Sequence, residues 1–301
     1  MSESRRLVSC CFRIISLLAA VAALSLLQAC SAIKLAYNNA PELAYWWIDG
    51  YADLGEVQSL QLRAELARLQ QWHRSTELPK IADLLHKTQQ IGAADTAPEP
   101  VCTLFVDARA RFDAVAAQAE PVAVALAMGL NAAQITHIET KSAKTNVEWR
   151  DEWASGSLLE RQAKRLKAAV ERSEQFYGTL EERQLAVLRN AIFQSDFDPA
   201  LSYAERLRRQ QDLAQTLRQV SGTAGLAKPG VPQATAALKA YMERSVNSPN
   251  PVYRAYTDKA ILDSCKTFAQ LHNSTTPEQR TRALRRLAAY ERDARELSLQ
   301  R

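Results

Sequence analysis

The sequence contains few of the residues that interrupt regular structure, with nine glycines and eleven prolines in 301 residues. No stretch shows the alternation of valine, isoleucine and threonine with polar residues that a half-buried strand needs. With 47% hydrophobic and 24% charged residues, the composition excludes collagen-like, disordered and disulfide-dense classes. We therefore expect an all-α fold, with ample chain to bury a core.

The motifs of several enzyme classes are absent as well. The sequence contains no G-x-S-x-G elbow, no P-loop, no G-x-G-x-x-G and no H-E-x-x-H. None of the four histidines has the spacing of a metal-ligand set. We therefore predict no cofactor, no metal and no catalytic residue.

The N-terminus has the pattern of a signal peptide. Arg5, Arg6 and Arg13 precede an apolar run over residues 14–27, which is shorter than the ~20 residues that span a bilayer. We predict that residues 1–29 are removed, and the alternative is an uncleaved anchor. Removal takes away three arginines and one glutamate and lowers the formal net charge from +5 to +3, so the sequence does not suggest nucleic-acid binding.

The end of this segment carries a more specific pattern. Leu27-Gln28-Ala29-Cys30 resembles the bacterial lipobox, which implies cleavage before Cys30 and acylation of that cysteine. Two or more acyl chains give a stable anchor, so membrane lipid is the first predicted partner. Ser31 stands where an aspartate would favour inner-membrane retention. The resemblance therefore implies the periplasmic side of the outer membrane.

Two cysteines, Cys102 and Cys265, remain after cleavage and acylation. In an oxidising compartment two cysteines most simply form one disulfide. The alternative is a pair of buried thiols, because the sequence does not give the distance between them.

Glycines and prolines divide the mature chain into about ten segments rich in strong helix formers. We expect a tether over residues 30–40, a main helical domain over 41–221, a linker over 222–232 and a C-terminal helical section over 233–301. The C-terminal section is either separate or part of the same bundle.

Three segments share the pattern L-x-x-x-Q, and a fourth, Thr276-Pro277-Glu278-Gln279, shares only its end. Each of the four is a predicted helix start. The residue three positions before each glutamine is expected to be the N-cap, and the glutamine side chain to reach back to the backbone N–H of that residue. Because the intervals between the glutamines are irregular, the pattern argues against a solenoid. The four glutamines are Gln58, Gln134, Gln184 and Gln279.

Polar residues offer one candidate site. His73 and Glu77 continue an apolar helical stripe, and such a pair could bind a metal, act as acid and base, or form a buried structural network. Asp49 and Asp53 lie four residues apart, which places two carboxylates on one helix face. The expected cluster comprises Asp49, Asp53, His73, Arg74, Glu77, Asn146 and Arg150.

Aromatic residues are concentrated shortly after Cys30. We expect Leu43, Trp47, Tyr51 and Leu54 to form an inward stripe that packs in the core. The alternative is that some of these rings rest at the lipid interface, where tryptophan and tyrosine are favoured.

Several of these segments together resemble an uncharacterised family of proteobacterial lipoproteins. The resemblance runs from about Cys30 to residue 195, and Trp72-His73-Arg74 with Glu77-Leu78-Pro79 is its most specific part. It implies an anchored helical protein and carries no activity. The L-x-x-x-Q starts also resemble the LTxxQ motif of small periplasmic helical chaperones.

These observations predict a non-catalytic interaction or structural module of the bacterial envelope, with another envelope protein as its partner. One alternative is a chaperone-like helical scaffold with an exposed apolar groove. Another is a metal-dependent enzyme centred on His73 and Glu77.

Overall fold

The computed structural model describes residues 33–225 and 227–300, and every regular element in them is helical. This confirms the all-α prediction: about ten helices were expected, and the described residues contain a helical segment over residues 33–38 followed by eleven α-helices. The predicted signal peptide and Cys30 lie outside the described residues. The helices are α1 (Ala40–Ala52), α2 (Glu56–Trp72), α3 (Leu78–Ile91), α4 (Pro98–Gly129), α5 (Ala132–Trp153), α6 (Leu158–Tyr177), α7 (Glu182–Phe193), α8 (Pro199–Ser221), α9 (Val231–Val246), α10 (Pro251–Asn273) and α11 (Pro277–Leu299).

The starts of these helices follow from local sequence. Side chains of Asp198, Asn250 and Thr276 accept hydrogen bonds from backbone N–H groups in the first turns of α8, α10 and α11. A proline follows each of these caps, where its fixed φ suits the helix and its missing N–H costs nothing. These starts are therefore encoded by neighbouring residues alone.

Two main apolar cores organise the bundle. The first is built from α1, α4, α5, α8 and α9 and includes Ile135, Leu217 and Val220. The second is built from α6, α7, α10 and α11, together with the turn before α7, and includes Tyr177 and Leu271. Helices α3 and α11 pack along each other and form a smaller third core.

Helix α4 connects the two halves of the bundle. Its 32 residues give a length of about 48 Å at 1.5 Å per residue. Near its C-terminus Val124 and Ala127 belong to the first core, and near its N-terminus Val101 packs against Cys265 and Ala269 of α10. The helix therefore holds both ends of the molecule at a defined separation.

The C-terminal section lies in the same bundle as the rest of the chain. Helix α8 ends at Ser221 and α9 begins at Val231, close to the predicted linker. Ala234 of α9 is fully buried in the first core, and Leu297 of α11 packs in the third core with Ala82 of α3. The section is therefore packed against the predicted main domain.

The predicted tether is helical from residue 33 onward. Lys34 forms ion pairs with Asp293 and Glu296 of α11. The Tyr37 hydroxyl lies 3.0 Å from Nδ1 of His73, and the Tyr37 ring packs against the third core. These contacts attach the segment to the body, so it does not act as an extended link.

Among the described residues, no single helix combines the length and the hydropathy that crossing a membrane requires. Only α4 and α5 taken together have that length and hydropathy, and they are bent by 112° at their junction.

Cys102 of α4 and Cys265 of α10 are bonded, with their Sγ atoms 2.06 Å apart. The bond joins residues 163 positions apart and so removes much conformational freedom from the unfolded chain. We predict that Cys265→Ser lowers the free energy of unfolding by about 4 to 5 kcal/mol. Urea unfolding of a soluble form that starts at Ser31 measures this difference.

The matched control is the Cys102→Ser/Cys265→Ser double variant, which should lose no more than either single variant. A protein whose unfolding midpoint is the same with and without a reducing agent would contradict the prediction.

Candidate functional site

The four glutamines meet as two pairs. Each of them occupies the third position of its helix. In the first pair, Gln134 Nε2 donates to Gln58 Oε1 at 2.7 Å and to the Asp53 carbonyl at 3.0 Å. Gln58 Nε2 donates to the Gly129 carbonyl at 2.9 Å and approaches Gln134 Oε1 at 3.4 Å. The starts of α2 and α5 are thereby joined.

The second pair repeats this geometry at the starts of α7 and α11. Gln184 Nε2 donates to Gln279 Oε1 at 2.6 Å and to the Ser274 carbonyl at 3.0 Å. Gln279 Nε2 donates to Gln184 Oε1 at 2.9 Å and to the Thr179 carbonyl at 2.8 Å. The second pair is buried, with Gln184 at 0% exposure.

Both pairs use the same four bonds per amide. Each Oε1 accepts from the N-cap N–H of its own helix and from the partner amide, as Gln279 Oε1 does from Thr276 N at 2.9 Å. Each Nε2 donates to the partner amide and to a carbonyl two residues before the partner helix's N-cap. The hydrogen bonds of such an amide offset the cost of removing it from water, and they occupy both of its polar atoms. We therefore interpret the glutamine pairs as structural.

The predicted polar cluster is distributed over several places. His73, Arg74 and Glu77 lie in a π-helical turn, His73–Glu77, between α2 and α3. Arg74 donates to Asn38 Oδ1 at 2.9 Å, and its guanidinium lies over the Tyr37 ring. Burial in this environment lowers the pKa of His73, and the nearby carboxylate of Glu77 partly opposes that shift.

Glu77 is fully buried. Its Oε1 lies 2.7 Å from Lys80 Nζ and its Oε2 lies 3.1 Å from Arg111 Nη1 on α4. A buried carboxylate needs such partners, because an unpaired charge in the interior is costly. The pairing connects the π-helical turn to α4 and occupies both carboxylate oxygens.

Asp49 and Asp53 form the corner between α1 and α2. Asp49 Oδ1 accepts from Leu54 N at 2.9 Å, and Asp53 has the left-handed φ of +46° that ends α1. Asp53 also supplies the carbonyl for Gln134. The two residues therefore shape the turn.

Asn146 and Arg150 lie on α5 against α8. Asn146 exchanges hydrogen bonds with Gln210 at 2.7 and 3.0 Å and accepts from Arg206 Nε at 2.6 Å. The Arg150 guanidinium lies over the Tyr203 ring at 5.6 Å. These residues have their partners on α8, away from the His73–Glu77 turn.

Sequence reasoning missed the partners of this cluster. Lys80 lies three residues after Glu77 and could have been found from that spacing. Arg111, Arg206 and Tyr37 are between 34 and 60 residues away from the groups that they contact, and the sequence has no signal that pairs them.

A second histidine, His272, is buried beside the loop after α3. Its Nε2 lies 3.0 Å from the Ala94 carbonyl, which can only accept, so Nε2 carries the proton. Its Nδ1 accepts from the Tyr177 hydroxyl at 2.9 Å. Burial lowers the pKa of His272 and raises the pKa of Tyr177 to about 12.

A groove of about 450 Å³ lies between α6, α7 and α10. Its apolar floor includes Leu188 and Phe268. Arg165 Nη1 donates to Ser195 Oγ at 2.8 Å, and its guanidinium lies 4.3 Å from the centre of the Phe197 ring. The groove presents apolar surface beside Arg165, and two further lining residues, Asp196 and Asp263, are paired with Lys259.

In the part of the chain that the structure describes, no three or more histidine, cysteine, aspartate or glutamate side chains are grouped so as to hold a metal ion. His73 and Glu77 therefore have no third ligand there, and each bonds to tyrosine, lysine or arginine.

We predict that Gln184→Ala and Gln279→Ala each lower the free energy of unfolding by about 2 to 3 kcal/mol, since each leaves buried partners unsatisfied. The matched control is Gln233→Ala, an exposed glutamine at the third position of α9, which should change it by less than about 0.5 kcal/mol. A double-mutant cycle by urea unfolding measures the coupling. Additive effects of the two buried glutamines would contradict direct pairing.

The free energy of unfolding should fall as pH decreases from about 7 to about 5.5. The pKa of His272 in the folded protein is below its ordinary value of 6.5, so the unfolded chain binds more protons in this range. We predict that His272→Gln shows a smaller fall than the wild-type protein. Urea unfolding across this range tests it, with exposed His137→Gln as the control. Equal pH dependence in His272→Gln and wild type would exclude this role.

Comparison with protein families identifies one relationship. The model of a family of unknown function, DUF6279, matches residues 50–226, which is more than half of the chain. The match includes the π-helical turn and the first three paired glutamines, whereas Gln279 and Cys265 lie beyond it. No curated protein and no solved structure matches. The chain therefore belongs to this family of unknown function.

Proposed function

We propose that the protein is a lipid-anchored periplasmic protein of the bacterial outer membrane that acts as a non-catalytic interaction or structural module of the envelope. The observation that carries the proposal is the lipobox-like Leu27-Gln28-Ala29-Cys30 at the end of a short apolar run. The described helical body begins at Ile33, three residues after Cys30. Acylation of Cys30 would therefore hold this body close to the membrane surface.

The bonding of the polar residues supports a non-catalytic role. Glu77 is neutralised by Lys80 and Arg111, and the glutamine amides are occupied by helix starts. Catalytic acids and bases need a group that can exchange a proton with a substrate. The polar side chains of the candidate cluster instead connect one helix to another.

The groove between α6, α7 and α10 is the proposed contact surface for a partner. The apolar lining favours burial of a partner's side chains, and Arg165 can donate hydrogen bonds to an acidic group beside them. Ala260 lies exposed at the edge of this groove. The position is therefore suited to a photoreactive probe.

A chaperone-like function is the second candidate. Phe105, Val106 and Phe112 of α4 are exposed, with Phe112 at 73%. Exposed apolar surface of this kind is what a scaffold for unfolded clients would use. It predicts many weakly bound clients in place of one partner.

The test is expression of the full-length protein with a photoreactive amino acid at Ala260 in cells supplied with labelled palmitate. We expect label in the outer-membrane fraction and one dominant crosslinked protein, with both lost in Cys30→Ala. A probe at Ala64, which is exposed on α2, is the matched control and should not capture that protein. Unlabelled protein would contradict the anchor, and a diffuse set of clients would favour the chaperone-like function.

A further inference from the structure

The segment that follows Cys30 exposes large apolar side chains along one face. Residues 33–38 are helical and lead into α1. On these helices Leu35, Leu43, Trp46 and Trp47 are between 50% and 67% exposed. The predicted inward stripe is therefore wrong for Leu43 and Trp47, and Tyr45 occupies the buried side of α1.

Helical geometry explains this reversal. Leu43, Trp46, Trp47 and Gly50 are spaced at three, four and seven residues, which places them on one side of α1. The buried side is chosen by the contacts of α1 with α2 and α5, where Tyr45 donates a hydrogen bond to Ser59 Oγ at 3.0 Å. We call the exposed set Leu35, Leu43, Trp46 and Trp47 the tryptophan face.

The tryptophan face carries no charge of its own. The charged residues between Leu35 and Gly50 are Glu42 and Asp49. Glu42 pairs with Arg63 of α2 at 2.5 Å, and Asp49 accepts from Leu54 N. The face therefore presents aromatic and aliphatic surface beside one carboxylate that is paired with an arginine and another that accepts a backbone hydrogen bond.

Its position in the chain indicates what covers it. Ile33 is three positions after Cys30, so the described helix begins at most about 10 Å from the residue proposed to be acylated. Lys34 and Tyr37 attach this segment to α11 and to the π-helical turn, so the face is held rigidly on the body. Tryptophan is favoured at the headgroup level of a bilayer, and amphipathic helices lie in that plane.

We propose that the tryptophan face rests on the phospholipid surface that holds the acyl chains of Cys30, an inference that depends on the proposed lipid anchor. The acyl chains and the face together would give two attachments, which hold the body in one orientation instead of leaving it to swing on a single point. A second protein chain on this face is the competing arrangement.

Fluorine NMR of the acylated mature protein, residues 30–301, tests the proposal without removing any residue from the core. The protein is labelled with 5-fluorotryptophan and assembled into nanodiscs of phosphatidylethanolamine and phosphatidylglycerol. A nitroxide lipid is then added, which broadens resonances near the bilayer. The exposed positions Trp46→Phe and Trp47→Phe assign their two resonances, because substitutions there leave the core unchanged.

We expect the resonances of Trp46 and Trp47 to broaden, while those of Trp149 and Trp153 near the C-terminus of α5 remain sharp as internal controls. Acylated protein in nanodiscs with no selective broadening of Trp46 and Trp47 would overturn the proposal and leave the anchor intact. The mass of the N-terminal peptide distinguishes a failure of this proposal from a failure of the proposed anchor. A peptide without acyl chains would contradict the anchor itself.

Discussion

The amide groups of four glutamines satisfy backbone groups at the places where the bundle is assembled. A helix start leaves N–H groups without intrahelical partners, and these groups must be bonded when they are buried. Here each glutamine accepts from the N-cap of its own helix and then bonds to the glutamine and the entering backbone of another helix. One side chain thereby caps its own helix and fixes the position of a second one.

The two pairs lie at the two main cores. Gln58 and Gln134 join α2 to α5 beside the first core, and Gln184 and Gln279 join α7 to α11 beside the second. Between the cores, α4 and the bond from Cys102 to Cys265 hold the halves together. Small separate cores make such cross-connections important, because each core alone buries limited apolar surface.

Buried carboxylates are also bonded to partners in the described structure. Glu77 is paired with Lys80 and Arg111, and Glu205 on α8 is paired with Arg208 and Arg209. An interior carboxylate without partners would be strongly unfavourable, so Glu77 requires Arg111 of α4 as its neighbour. Both arginines that pair with Glu205 lie on its own helix, and its contact outside α8 is the hydrogen bond that it accepts from Ser248 Oγ at 3.0 Å. The surface differs, since the exposed tryptophans of α1 and phenylalanines of α4 have no such internal role. These exposed aromatic residues are therefore among the side chains that could contact other molecules.

Local sequence alone predicted the helical class and the four helix starts that the glutamines mark, whereas Pro121, which also suggested a boundary between helices, lies inside α4. Glycine and proline placement, strong helix formers and the Thr276-Pro277 start depend on neighbouring residues, so their effect is readable without a fold. The pairing of Gln58 with Gln134 or Glu77 with Arg111 joins residues far apart in the chain, and no periodicity encodes it. The positions of α2 and α5 likewise decided which side of α1 is buried. The apolar residues of α1 alone do not determine this, because a side chain is buried only where another helix packs against it.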